Sequence, residues 1–269
     1  MDRAGFARAG ALAGADGRAG SAGIEFTMAG LGIRMAGAAR AGLAGGGFGL
    51  TVNGEVRGWP AALTLADGDL VEVSPGPRGV YGYLRFDAEI GVTELLGSRA
   101  TNLMAGLGGF AGRALKHGDR LTLEPAGAAP PIVGDRKTPA DGPIRVLPGL
   151  HAEMLGKEVW TAFAGAEFTM SSRLDRMGVR LADPSGVFAA HDARTLVSDA
   201  VVPGDIQILG DGTPVILMRD HQPTGGYPRI ATVIGADLDR LAQTRPRAAL
   251  SFEPVTLEHA HRLAREARR

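Results

Sequence analysis

A mainly β fold, organised as two domains, is what this sequence predicts on three observations. Short runs rich in Val, Ile, Leu, Phe and Thr recur along the chain, helical signals are few, and 41 of 269 residues are glycine, spread between the apolar runs without a collagen period. With 45% hydrophobic and 22% charged residues, a chain of this length has material for two cores of ordinary size. The strand candidates are residues 24–28, 50–52, 70–73, 80–84, 121–123 and 144–147. Strands at residues 70, 120 and 206 open with the same pair, Gly68-Asp69, Gly118-Asp119 and Gly204-Asp205, where glycine supplies the turn and aspartate bonds the backbone amides that follow. Helices are expected at residues 236–243, behind a strand-like 230–234, at 151–163, and at 257–268. The last has Thr256 as N-cap, Glu258 in its first turn and Arg262, Arg265, Arg268 and Arg269 towards its end, an order that suits the helix dipole. Such a basic tail is a solvated face or, less simply, a nucleic-acid arm.

Pro125, Pro130, Pro131 and Pro139 disfavour both continuous helix and a central strand, so residues 125–142 are read as a linker between domains at 1–124 and 143–269. One echo spans it. Glu25-Phe26-Thr27-Met28 with Arg34-Met35 recurs, at one constant offset, as Glu167-Phe168-Thr169-Met170 with Arg176-Met177, which duplication or coincidence would equally produce.

Composition removes several functions. Lysine plus arginine equals aspartate plus glutamate at 29 each, so there is no overall attraction for nucleic acid. The absence of cysteine excludes a thiol nucleophile, a disulfide framework and a zinc ribbon, and fits a cytoplasmic protein. No apolar run approaches the roughly 20 residues needed to span a bilayer, and Arg3, Arg8 and Asp16 interrupt the alanine- and glycine-rich start that a secretory signal would keep apolar. There is no G-x-S-x-G elbow, H-E-x-x-H helix or phosphate-binding G-K-[ST] loop. Gly106-x-Gly108-x-x-Ala111 lacks the strand and helix of a dinucleotide site, and His259 and His261 diverge on a helix, so no metal site is expected. Trp59 and Trp160 read as packing residues, with Trp59, beside Pro60, alternatively a surface on which a planar ligand stacks.

Three stretches carry possible chemistry. In the first, an apolar strand delivers Asp220-His221-Gln222-Pro223-Thr224-Gly225-Gly226-Tyr227-Pro228, where adjacent glycines let amides approach an oxygen, Thr224 adds a hydroxyl and Asp220 and His221 supply an acid–base pair. The same residues also suit a tight turn with exposed polar groups. In the second, Ser171 to Gly178, Arg173 and Arg176 can clamp a carboxylate or phosphate, with Asp175 orienting them or acting as base, or the group is a surface ion pair. In the third, Arg99, Thr101, Gly108, Gly109 and Arg113 concentrate hydroxyls, guanidiniums and exposed amides.

Read together, Val52-Asn53-Gly54, Leu96-Gly97-Ser98-Arg99-x-Thr101, Gly106-Leu-Gly-Gly-x-x-Gly112-Arg113, Gly118-Asp119, Ile144-Arg-Val-Leu-Pro-Gly149, Asp175-Arg176-Met177-Gly178, Ile206-Gln207 and Thr224-Gly225-Gly226-Tyr227-Pro228 cover nearly the whole chain. In this order they resemble the biotin-dependent carboxyltransferase-like family, which includes the C subunit of 5-oxoprolinase, the Kip antagonist protein and the allophanate hydrolase subunit 2 domain of urea carboxylases. The resemblance implies two linked cyclophilin-like β-barrels with a few short helices, the first shorter at its N-terminus than in relatives. Departures fall at Ala9 to Gly14, at Ala88-Glu89-Ile90 and at Asp220-His221-Gln222-Pro223, where relatives tend to read A-N-x-L-V-G-N, Gly-Gly-Ile and D-R-Q-T.

The function implied first is that of the C subunit of a bacterial ATP-dependent 5-oxoprolinase, opening the lactam of 5-oxoproline to glutamate with A-like and B-like partner subunits. Its site would take Asp175, Asp220 and Thr224 as catalytic, and Arg99, Thr101, Gly108, Gly109, Arg113, Arg176, Gln207, Gly225, Gly226 and Tyr227 as substrate-binding. Thr224, Gly225 and Gly226 would donate to an oxygen, Arg99 and Arg176 would hold carboxylate or phosphate, and Asp175 or Asp220 would handle the proton. ATP would be used together with the partners. An alternative is a carboxyltransferase of the urea amidolyase type. Its biotin must arrive on another protein, since none of Lys116, Lys137 and Lys157 sits between methionines. A further alternative is a non-catalytic protein that sequesters an inhibitor of a sensor kinase.

Overall fold

The computed structural model describes residues 1–14, 21–126, 142–189 and 196–266. The chain divides into two compact units, residues 2–136 and residues 137–269 with Met1. Most of the proline-rich linker expected at 125–142 lies outside the described residues.

The first unit comprises α1 (Arg3–Ala13), β1 (Ile24–Phe26), β2 (Leu31–Arg34), β3 (Ala39–Val52), β4 (Glu55–Arg57), β5 (Ala61–Leu65), β6 (Leu70–Phe86), β7 (Ala88–Ile90), β8 (Thr101–Asn102), β9 (Leu107–Gly108) and β10 (Leu123–Pro125). Two long strands dominate it: β3 and β6 pair antiparallel, β1 and β2 add to β6, and β4 and β5 add to β3, giving a six-stranded sheet. Phe26, Phe48, Leu43, Leu50, Leu65, Val71 and Leu84 fill its core. Trp59 packs on Phe48 with ring centroids 5.3 Å apart, as expected, and donates its indole N–H to the Gly46 carbonyl. The candidates at 70–73 and 80–84 are one strand, β6, because the intervening residues stay paired to β3 through register shifts.

Within the glycine-rich stretch at 41–54, residues 41–52 are strand and Asn53-Gly54 alone turn into β4. A Cβ on Gly42 would lie 2.0 Å from the Ala9 carbonyl oxygen of α1, and one on Gly5 would lie 2.9 Å from Gly45 Cα. Glycine is needed in both elements so that helix and strand backbones can touch. Gly42→Ala is therefore expected to push α1 off β3 and cost about 1–3 kcal/mol, read as a lowered midpoint in denaturant unfolding.

The second unit comprises β11 (Ile144–Pro148), α2 (Ala152–Leu155), α3 (Lys157–Gly165), β12 (Glu167–Leu174), β13 (Gly178–Ala182), β14 (Asp199–Ala200), β15 (Asp205–Ile208), β16 (Pro214–Leu217), β17 (Thr224–Gly225), β18 (Arg229–Val233), α4 (Leu238–Ala242), β19 (Ala249–Pro254) and α5 (Leu257–Glu266). Seven strands close a barrel in the order β11-β18-β15-β16-β13-β12-β19, the seam being a parallel pairing of β11 with β19. Phe163, Phe168 and Phe252 pack together in its core with centroids 4.8 to 5.7 Å apart, Phe163 stacked on Phe252. Trp160 packs against Phe163. The helix expected over 151–163 is broken in two at Gly156, whose φ of 93° no ordinary side chain tolerates there. The described structure is thus mostly β with a closed seven-stranded barrel and short helices. None of those helices is long and apolar enough to cross a membrane.

The three Gly-Asp pairs adopt one geometry. Each glycine has positive φ, 87°, 86° and 98°, and each aspartate accepts the amide three residues before it, Ala66, Lys116 and Val202, at 2.8, 2.7 and 3.0 Å. This corrects the expectation that the following amides are bonded. The Glu-Phe-Thr-Met echo places Phe26 and Phe168 in buried strands, yet β1 pairs with β6 whereas β12 pairs with β13 and β19.

Candidate functional site

Within the second unit, the β12–β13 hairpin presents the first group. Asp175, exposed, accepts the amides of Met177 and Gly178 through Oδ1 at 2.7 and 3.0 Å, so its carboxylate shapes the turn that aims Arg176. Arg176 then meets Asp220 in a two-pronged pair, Nε to Oδ2 at 2.8 Å and an Nη to Oδ1 at 3.0 Å, while the Asp220 amide donates to the Arg176 carbonyl at 2.7 Å. Both Asp220 oxygens are engaged by the guanidinium, and Arg176 meets any incoming anion already paired.

Past Asp220 the chain runs through Gln222 into the two-residue ribbon β14–β17, in which Asp199 faces Gly225 and Ala200 faces Thr224. Thr224 and Tyr227 are exposed; Gly226 accepts the Leu196 amide at 2.7 Å. Beneath the ribbon lies Gln207, 2% exposed, whose Oε1 accepts from Gln222 Nε2 at 3.4 Å and whose Nε2 has no partner among the described residues. A Cβ on Gly225 would stand 2.5 Å from that Nε2, so only glycine leaves the amide its space.

The ribbon is held to the barrel by Arg229, which is 7% exposed. Its guanidinium donates to the Ala200 carbonyl at 2.7 Å, to Asp199 Oδ2 at 2.9 Å and to Asp205 Oδ2 at 3.4 Å, and Thr232 completes Asp205 at 2.7 Å. The Arg229 amide donates to His151 Nδ1 at 3.2 Å, which places the ring proton on Nε2. Burial, and then the Arg229 charge, hold His151 below the ordinary imidazole pKa. The Ala200 amide and Arg229 hold Asp199 below the usual carboxylate range.

The remaining candidates lie in the first unit. Arg99 pairs with Glu94 at 3.0 Å and Glu89 at 3.6 Å. Glu89 also accepts the Ser21 and Ala22 amides at 2.7 and 2.9 Å; burial opposes its charge, but these bonds and Arg99 leave its pKa lowered. Thr101 spends its hydroxyl on the Gly109 carbonyl at 2.8 Å, closing the β8–β9 turn. Gly108 and Gly109 are there for close approach, since Cβ atoms on them would lie 2.0 Å from the Ala100 and 2.8 Å from the Arg99 carbonyl oxygens. Arg113 grips Asp119 with two bonds of 2.7 and 2.9 Å and covers the Phe110 ring, and Asp119 is pulled down to about 2, by Arg113 first and the Lys116 amide next. The side chains of Arg99, Thr101 and Arg113 are thus all engaged by neighbours within the first unit.

A family described as the carboxyltransferase domain, subdomains A and B, matches residues 1–254. The chain belongs to this family. Among curated relatives, the 5-oxoprolinase C subunit of Haemophilus influenzae is 34% identical over 74% of this chain and 64% of its own length. Its namesake in Escherichia coli is 33% identical over 79% and 67%. The chain thus matches about two thirds of the length of each. Among solved structures, the urea amidolyase of K. lactis superposes with a TM-score of 0.85 at 24% identity, covering 99% of this chain and 17% of that one, a likeness of fold.

In this carboxyltransferase-family chain the second unit joins Arg176 to Asp220, with Asp175 in the adjoining turn, and sets Gln207 against Gln222 and Gly225, beside Thr224 and Gly226. Arg99, Thr101, Gly108, Gly109 and Arg113 belong to the first unit. Arg229, Asp199, Asp205 and His151 escape a reading of the sequence alone. The available signal is a lone arginine heading the apolar run 230–234, together with the aspartate of a Gly-Asp turn.

Proposed function

We propose that this chain is the C subunit of an ATP-dependent 5-oxoprolinase and acts with A-like and B-like partners to open 5-oxoproline to glutamate. The observation that carries this reading is identity of 33–34% to proteins of that name across about three quarters of the chain. The chemistry needed is definite. A lactam carbonyl is a poor electrophile; moving the terminal phosphoryl group of ATP onto its oxygen creates an activated centre that water attacks, releasing phosphate and breaking the ring C–N bond. Donors at the developing oxyanion, a cationic hold on the substrate carboxylate and a proton acceptor complete such a site. In the second unit the exposed Thr224 hydroxyl and the Gly225–Gly226 backbone are suited to the first task, Arg176 to the second and Asp220 to the third. Because Arg176 engages both Asp220 oxygens, a substrate carboxylate that recruits Arg176 would release those oxygens towards the bound ring. Purified chain combined with A-like and B-like subunits, ATP and 5-oxoproline should form glutamate only when the chain is present; glutamate formation without it would defeat the assignment.

A second reading is carboxyl transfer from carboxybiotin, carried on another protein, to an amide or urea nitrogen. The description of the family itself favours it. Transfer of labelled carboxylate from carboxybiotin to urea, with no glutamate formed from 5-oxoproline, would select this second activity.

A further inference from the structure

We propose that Gln207 is the residue that reads the ligand, its carboxamide pairing with a group whose N–H and C=O point to the same side, a cyclic cis-amide. This rests on the reading above for the choice of ring and adds the atoms that recognise it. Gln207 sits in β15, every residue of which is buried, and a buried N–H without a partner is a standing cost that folded proteins rarely leave uncompensated. Its other end is only loosely engaged, at 3.4 Å from Gln222 Nε2. A carboxamide offers a donor and an acceptor side by side in one plane. A lactam or cyclic urea offers the complementary acceptor and donor with the same spacing, so two parallel bonds form: Nε2–H to the ligand carbonyl, and the ligand N–H to Oε1. An open-chain peptide amide, trans, has its N–H and C=O on opposite sides and can make only one of them.

Gly225 supports the assignment. The amide is covered by a residue without a side chain, on a ribbon of two residue pairs, and any larger residue would occupy the space above Nε2. The ribbon has to lift for the ring to enter. Its short ladder and its attachment through Arg229 make that motion local.

The test is a binding titration of the full chain, followed by ligand-observed NMR, with 2-pyrrolidinone and with N-methyl-2-pyrrolidinone, which keeps the ring and carbonyl but lacks the N–H. The proposal expects saturable binding of the first and at least about tenfold weaker binding of the second. Gln207→Leu should bring 2-pyrrolidinone down to the same level. Gly225→Ala, which crowds the amide and leaves Gln207 in place, should do likewise, and decides the matter if the Leu variant fails to fold. Equal binding of the two ligands, undiminished binding by folded Gln207→Leu, or no saturable binding of 2-pyrrolidinone by the unaltered chain each overturns the proposal. Failure of the 5-oxoprolinase assignment has a different signature: Gln207-dependent lactam binding would persist while the reconstituted mixture forms no glutamate.

Discussion

Replacing Arg229 with methionine should destabilise the second unit by about 3–5 kcal/mol and abolish lactam binding in the same variant. The guanidinium is almost wholly buried, and it is shared by one barrel residue, Asp205, and by two groups of the ribbon, Asp199 and the Ala200 carbonyl. Methionine fills the volume but leaves Asp205, 2% exposed, with a charge compensated, among the described residues, by the Val202 amide and the Thr232 hydroxyl. That uncompensated charge is the larger part of the expected loss. Adding Asp205→Asn to the Met variant should therefore recover a substantial part of the stability, because the buried charge goes with it, while lactam binding stays lost because the ribbon is still unanchored. Urea unfolding followed by circular dichroism gives the first quantity and NMR titration with 2-pyrrolidinone the second. A double variant no more stable than the single one would show that packing, not charge, is what Arg229 supplies. Hydrogen exchange at Thr224 and Gly225 should quicken in both variants, since the ladder of two residue pairs cannot hold itself.

The amino-acid sequence displays the fold and the site unequally. Strand β11 and helix α5 are legible because local chemistry and final environment agree: an apolar run next to a glycine in the first case, a capped segment with ordered charges in the second. Helix α1 and the part of strand β3 before residue 50 are not legible, and for one reason. A sequence shows glycine through its turn propensity, whereas Gly42, Gly45 and Gly5 are where they are because two backbones come within contact distance, a fact that exists only in the tertiary structure. The site shows the same division. Arg176, Asp220 and Gly225 lie within short runs of chemically suggestive residues and stand out for that reason. Arg229 and His151 meet across the β11–β18 region, far apart in sequence, and nothing local to either announces the bond between them. Gln207 is marked by its motif, but that its donor has no partner among the described residues emerges only in the tertiary structure.

Asp237→Ala should cost about 3–5 kcal/mol, lower the melting temperature by roughly 10 °C or more, and flatten the acid limb of the stability curve. Asp237 is fully buried at the start of α4, yet its side chain caps nothing in that helix. It accepts instead from the Arg145 amide at 2.8 Å, from the Arg145 guanidinium at 3.0 and 2.5 Å, and from Arg240 at 3.0 Å. Arg145 belongs to β11, the strand through which the barrel closes, and Arg240 reaches back to the carbonyls of Gly142 and Pro143 just before it. The carboxylate thus fastens the seam strand to α4, and its removal leaves two guanidiniums short of their counter-charge at the place where the barrel depends on a parallel pairing. Burial by itself would raise the Asp237 pKa, but the hydrogen bonds and charges of Arg145 and Arg240 outweigh it and hold the group below its ordinary value. The sign follows from linkage. A carboxyl depressed in the folded state contributes its full stabilisation above the unfolded pKa of about 3.9 and loses it as pH falls through the lower folded value. Unaltered protein should therefore lose stability steeply below about pH 4, whereas Asp237→Ala, already lacking that contribution, should converge with it there. Parallel pH profiles for the two proteins would mean that the seam is held by packing alone and that the arginines find solvent when their partner is gone.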